Sequence, residues 1–221
     1  MSAKKQDLTD LACLAGERPG ARERVVDAAC SLFYRKGIRA VGVEMIAEEA
    51  DTTKMSLYRH FPSKDLLVAE WLRLAHEAYL RWWDGVVAAY PDDPRRQLTE
   101  ILARHAERLA DPESRGCAAA NAAVEITDPD HPARHVIVEY KSQVRARLLA
   151  LCQSLDSRDP QAVADGLFLL LEGAQASVQS LGHAGPASVF FRAAQLLIAA
   201  HETPEHRRVS LDRRRKPRPA K

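Results

Sequence analysis

Residues 43–67 read VEMIAEEADTTKMSLYRHFPSKDLL. Two short helical segments, split by the polar triplet Asp51, Thr52 and Thr53, end at Pro62, whose ring and missing N–H stop a helix. This is the outline of a helix-turn-helix, a motif whose second helix enters a groove of DNA. That second segment carries Lys54, Ser56, Tyr58, Arg59 and His60, a dense set of donors for phosphate oxygens and base edges. On the first segment Met45, Ile46 and Ala50 are expected to face inward and Glu44, Glu48 and Glu49 to face water. Thr53 is placed to cap the second segment by accepting from the amide of Met55 or Ser56. Leu57 and Phe61 should pack back on the preceding helices, and Ser63 should cap the next one, with Asp65 near its positive end.

Upstream, Val25, Ala28, Ala29, Leu32 and Phe33 recur at helical spacing and Gly37 supplies a stop, which predicts the first helix of a three-helix unit. Gly42 occupies the N-cap of the second helix at little cost. Residues 1–20 read as a flexible arm. Downstream, Leu67, Trp71, Leu74, Ala75, Ala78, Tyr79, Trp82, Trp83 and Val86 mark a long amphipathic helix, closed off by Pro91 and Pro94. Leu98, Ile101, Leu102, His105 and Leu109 mark a fifth helix, and small residues over 116–126 a compact sixth. A seventh starts near Pro132, with Ile137, Val144, Leu148, Leu151, Cys152 and Leu155 as its stripe. Residues 161–181 are apolar almost all the way round, and 186–200 repeat the pattern. Helices without a wet face need partners on both sides; a homodimer through a four-helix interface supplies them, and simple core burial is the alternative. With no strand alternation, phosphate loop or repeat, the expected fold is all-α, with about nine helices. Its expected division is a DNA-binding domain over 21–66, an effector-binding and dimerisation domain over 67–201, and a disordered basic tail over 202–221.

A chain of 221 residues with 46% hydrophobic content can bury a large core. Net charge is +2, but residues 202–221 hold eight Lys or Arg against three acids, a surplus of +5, so the remainder carries about −3. That balance excludes a uniformly basic nucleic-acid coat and requires a local patch for DNA affinity. The four cysteines, Cys13, Cys30, Cys117 and Cys152, show neither a CxxC pair nor zinc spacing, which suits a reducing compartment. No apolar run approaches the roughly 18 residues of a membrane span, and the N-terminal stretch shows no apolar h-region, so neither secretion nor membrane insertion is expected. The expected location is the cytoplasm, with no membrane partner.

The combination of Phe33 and Gly37 on the first helix, Ile46-Ala47, Ala50, the Leu57-Tyr58 pair, Phe61 and Lys64 resembles the TetR (tetracycline repressor) family of transcriptional regulators. The likeness is close over 21–67 and beyond that holds in helix order. It implies a cytoplasmic homodimer that docks on double-stranded operator DNA and carries a pocket for a small-molecule effector. By the family pattern, Thr53, Lys54, Tyr58, His60 and Lys64 contact the DNA backbone, and Lys54, Met55 and Ser56 lie where bases are read. Two positions depart from that pattern: Asp51 stands where the turn usually has Gly, adding a negative charge, and Gly42 removes a hydroxyl that often meets phosphate.

In the larger domain, Tyr79, Trp82, Trp83, His105, Asn121, Glu125, Phe168, Glu172 and Gln175 are the polar or aromatic residues on helices that the family wraps around its pocket. An apolar cavity with a few placed polar groups is the usual form of a ligand site, which points to a hydrophobic or aromatic effector. Trp82 and Trp83 are about 100° apart on a helix, so at most one is expected to face a cavity. Cys117, at the start of the sixth helix, is a candidate redox or electrophile-sensing thiol. His131, His135 and Glu139 are spaced along one helical face, but Pro132 makes His131 a helix cap, and no metal or cofactor is assigned. The expected function is a ligand-released repressor. The alternatives are a thiol-sensing repressor acting through Cys117 and, more remotely, a helical-bundle enzyme or carrier. No nucleophile–base pair or carboxylate dyad supports an enzyme.

Overall fold

The computed structural model describes residues 20–155 and 157–202. The helices in chain order are α1 (Ala21–Lys36), α2 (Val43–Glu49), α3 (Lys54–His60), α4 (Lys64–Ala88), α5 (Pro94–Ala110), α6 (Ala118–Glu125), α7 (Ala133–Gln153), α8 (Pro160–Leu181) and α9 (Phe190–Ala200). Among the described residues the only β pairing is the isolated bridge between Ser157 and Glu202, so the fold is all-α as expected. The arm and the basic tail lie outside the described residues, apart from Gly20 and Glu202.

Contacts divide the chain into two compact units. Among the described residues, one comprises 20–88 and 111–142, the other 89–110 and 143–202. This division follows packing, whereas 21–66 and 67–201 is a division by expected role; α4 crosses residue 66 as one unbroken helix.

In the first unit α1 is amphipathic, and Val25, Val26, Ala29, Leu32 and Phe33 enter the core. Ile46, Val41 and Leu57 are fully buried against it, and the Phe33 ring lies 5.4 Å from that of Trp71 on α4. Each Val, Leu, Ile or Phe side chain so removed from water contributes about 1.5–3 kcal/mol. Gly37 ends α1 with φ 86°, and its N–H returns to the Phe33 carbonyl. A Cβ at Gly37 would also lie 3.1 Å from Oε1 of Glu125, so glycine serves both the turn and a close approach.

In the second unit Leu98, Ile101, Leu102 and Leu109 of α5 are buried, as are Val163, Leu167 and Leu171 of α8 and Phe190 and Ala194 of α9. Asp159 caps α8 by accepting from the amide of Ala162 at 2.9 Å. Gly166 allows α9 close to α8, since a Cβ there would fall 2.7 Å from Cδ2 of Leu197.

Several expectations are corrected. Pro94 does not close α4 but opens α5, where its missing N–H is no loss. Ala47 joins Ile46 and Ala50 as a buried position that the sequence reading left out, while Met45 packs against the core only half-buried. Leu155 lies beyond the end of α7. Residues 186–200 are not one helix: Pro186–Val189 form a 3-10 turn before α9. Finally, Leu169 and Leu181 on α8 stay 68% and 65% exposed, so within one chain part of this apolar helix is left uncovered.

Candidate nucleic-acid interface

The α2–α3 turn is built by three local devices. Asp51 adopts φ 46°, the left-handed conformation that Asp tolerates better than most residues. Thr52 donates its amide to the Ala47 carbonyl at 2.9 Å. Thr53, extended at φ −99°, accepts from the amide of Ser56 at 3.1 Å, as its position in the sequence predicts. A fourth device comes from α1: Arg24 donates through Nε to the Ala50 carbonyl at 3.0 Å and through Nη2 to the Asp51 carbonyl at 3.4 Å. The sequence carried no signal for Arg24, since the contact spans 26 positions.

Helix α3 is anchored by Leu57, which is fully buried, and by Phe61 just past its end. On a helix turning about 100° per residue, positions two before and two after Leu57 lie about 160° from it. Met55 and Arg59 therefore form the outermost ridge of α3. Both are exposed, Met55 to 71%. Arg59 is an outward-facing donor that the family pattern did not assign. Flanking the ridge, Lys54, Tyr58 and His60 are exposed and Ser56 is half-buried. Tyr58 is 41% exposed and thus not a core tyrosine. Arg59 and His60 fall in the last turn, where positive charge complements the helix dipole.

Two lysines of the expected set have partners within the protein. Lys54 Nζ is ion-paired with Glu44 of α2. This pair raises the Lys54 pKa, chiefly through the side-chain hydrogen bond, and lowers that of Glu44. Lys64 Nζ donates to the Ile38 carbonyl at 2.6 Å and lies 6.0 Å from the Phe33 ring centre. Partial burial lowers its pKa. The Ser63 hydroxyl accepts from the Leu66 amide at 3.2 Å and caps α4, which is separated from α3 by three residues.

The residues expected around an effector separate into groups. Tyr79, Trp82 and Trp83 are all buried, and the Tyr79 ring lies 5.3 Å from Trp82 and 6.2 Å from Trp83. Tyr140 of α7 stands edge-on to Tyr79 at 5.4 Å and to His76 at 4.9 Å. Neither Tyr140 nor His76 was anticipated, because the contact pairs residues from two helices. Asn121 donates to the Arg115 carbonyl at 2.8 Å. The Glu125 carboxylate accepts from the amides of Ile38 at 3.1 Å and Arg39 at 2.9 Å. It thus ties the end of α6 to the α1–α2 connection.

In the second unit His105 is buried on α5, while Phe168, Glu172 and Gln175 share a half-buried stripe of α8. The Gln175 Oε1 atom is buried without a hydrogen-bond partner.

Cys117 is the N-cap residue of α6 and is buried; Lys141 Nζ donates to its sulfur at 3.3 Å. His131 does cap α7: its Nδ1 accepts from the Ala133 amide at 3.1 Å, and its Nε2 faces Asp65 at 3.3 Å.

A model of bacterial regulatory proteins of the tetR family matches residues 25–71, which run from α1 into α4. The chain is 28% identical over 155 residues to the HTH-type transcriptional regulator YjdC of Escherichia coli K12, covering 69% of this chain and 80% of that one. It is 31% identical over 102 residues to the uncharacterized HTH-type transcriptional regulator TtgW of Pseudomonas putida, covering 40% of this chain and 76% of the relative. A crystal structure of a TetR-family transcriptional regulator from Streptomyces coelicolor superposes with a TM-score of 0.77 at 26% identity, over 83% of this chain and 96% of that one.

Proposed function

The chain belongs to the tetR family of bacterial regulatory proteins and is a helix-turn-helix transcriptional regulator; from this we propose that it is a cytoplasmic repressor released from operator DNA by a hydrophobic or aromatic small molecule. The observation that carries the DNA half is the capped, Leu57-anchored α3, which turns Lys54, Met55, Tyr58, Arg59 and His60 outward with Ser56 half-buried beside them. In this reading Tyr58, Thr53, His60 and Lys64 hold the phosphate backbone and the outer ridge meets base edges. DNA-binding acts through residues 21–66, and residues 67–201 serve effector binding and dimerisation.

The effector half is supported by the buried aromatic cluster of Tyr79, Trp82, Trp83 and Tyr140, an apolar setting of the kind in which a flat ligand stacks once it enters. Helix α4 carries three of these rings and is separated from α3 by three residues. A ligand that favours one position of α4 changes the placement of α3 by its difference in affinity for two conformations. Dimerisation through α8 and α9 is supported by the exposed Leu169, Leu181 and Leu196. Two half-sites then lie one helical turn of DNA apart, about 34–36 Å.

The test is salt-dependent binding of the full chain to duplex DNA from its own upstream region, and its relief by a panel of hydrophobic compounds. Tyr58→Phe should weaken binding to all duplexes by a similar factor. A loss confined to one base position would reassign Tyr58, and no binding at low salt would overturn the DNA reading.

A second reading, sensing through Cys117, is favoured by one observation, the Lys141 ammonium at 3.3 Å from the sulfur. Mass mapping after mild alkylation decides it. Burial pushes the Cys152 thiol up to about 11, so Cys152 serves as the inert reference. A Cys117 as unreactive as Cys152 ends the thiol reading.

A further inference from the structure

Met55 is the most exposed large apolar side chain between α1 and α4, at 71%. It sits on the ridge of α3 farthest from the buried Leu57, beside Arg59 and between Lys54 and Ser56. An isolated exposed apolar residue is ordinary on a protein surface. Here its surroundings are not ordinary, because every outward neighbour on this helix is a hydrogen-bond donor suited to phosphate or base edges. A thioether has no N–H or O–H to offer a phosphate, and its sulfur is a weak acceptor. In the major groove the one apolar feature of the four bases is the thymine C5-methyl group. Met is also unbranched and flexible, so it can settle on a methyl whose position varies by an ångström.

We propose that Met55 is a specificity-determining residue that reads a thymine methyl in each operator half-site. The inference rests on the DNA-binding reading above and adds a base identity to it. Contact between the Met55 terminus and the methyl removes both from water, on the scale of one buried methylene. That is about 0.8 kcal/mol, or roughly fourfold in affinity per half-site. Arg59, one turn further along the same ridge, supplies hydrogen-bond readout next to this contact. The Met55 contribution is therefore a preference at one base pair and not a general loss.

The experiment uses operators selected by the full chain from a pool of random duplexes. Each thymine in a selected duplex is replaced in turn by deoxyuridine, which deletes only the methyl. Binding of the unaltered chain should fall about fourfold for one thymine per half-site and stay constant for the others. M55A should bind the thymine duplex more weakly and show no further loss on uracil replacement at that position, while M55L keeps most of the sensitivity. Thermal unfolding of M55A should match the parent, because the side chain is exposed. If the parent binds every uracil duplex equally, or if M55A keeps the uracil penalty, the Met55 assignment is wrong and the DNA reading stands. If no duplex is selected at low salt, both fail together.

Discussion

Asp51 joins conformation and charge at one position. Its φ of 46° is left-handed, a geometry that costs about 1–2 kcal/mol for a side chain without the local hydrogen bonding of Asp or Asn. Its carboxylate also stands at the turn leading into α3, where negative charge opposes DNA. The two effects separate by substitution. Asp51→Asn should leave the urea midpoint almost unchanged and tighten binding to every duplex. Asp51→Val should destabilise by about 1–2 kcal/mol. Equal duplex binding by the parent and Asp51→Asn would show that the charge lies too far from phosphate to matter. The Lys54–Glu44 pair tempers basicity in the same way: a cation on α3 starts out neutralised by an acid on α2. Both partners are solvated, so the pair contributes little to folding. Its weight falls on how much of Lys54 is available to DNA.

Helix α6 acts as a clasp on the end of α1. Arg115, just before it, donates through Nη1 to the carbonyls of Tyr34 at 2.9 Å and Arg35 at 2.7 Å. These are among the last carbonyls of α1, which have no partner inside the helix. Glu125 at its other end holds the amides of Ile38 and Arg39. Removing that carboxylate strands the part-buried Ile38 amide and leaves the exposed Arg39 amide to water, so Glu125→Ala should cost about 1–3 kcal/mol by urea unfolding. Glu125→Gln, which keeps an acceptor oxygen, should recover much of it. A second tie joins α1 to α4: Glu70 accepts from Arg73 at 2.7 Å and from Arg22 at 2.6 Å. The Arg73 hydrogen bond, with Arg22 adding to it, holds the Glu70 pKa below the ordinary carboxylate value. A depressed folded pKa gives stability that is fully present above the unfolded value, about 4.3, and is lost as pH falls through the folded one. The expected acid limb is worth about 1 kcal/mol. Glu70→Gln should lower stability near neutrality and flatten that limb; an unchanged limb would assign acid sensitivity to other carboxylates.

For the assembled molecule the exposed apolar side chains of the second unit matter most. Leu169 is 68% exposed and Leu196 63%. On α8, Gly173, Ala176 and Ser180 continue from Leu169 along one exposed stripe, and such small residues let another helix approach closely. Leu196→Glu places a charge where the proposed dimer buries an apolar chain, and an unpaired buried charge is strongly unfavourable. Sedimentation should show a shift from dimer toward monomer, with affinity for a two-half-site duplex falling at least tenfold. The helical content should hold, since Leu196 contributes little to its own unit. A variant that stays dimeric would move the interface off α9. Among the described residues no helix is long and apolar enough to cross a membrane.

Most of the helix-turn-helix was legible in the chain order because its determinants are local. Thr53 and Ser63 cap helices within three residues of themselves, Pro62 stops one, Gly37 ends another, and the periodicity of Leu57 and Phe61 sets which face turns inward. The helices and their order followed from the same short-range rules. Near the prolines they could err, because Pro both ends one helix and begins the next, as at Pro94. What needed three dimensions was every contact between distant residues. Arg24 on the turn carbonyls, Lys64 on Ile38, Glu125 on the Ile38 and Arg39 amides and Tyr140 on Tyr79 join residues 26 or more positions apart. No periodicity encodes such pairs, since they depend on how helices cross. Packing likewise decided that Met55 and Arg59 form the outer ridge of the recognition helix, because a ridge is defined only by what the opposite face buries.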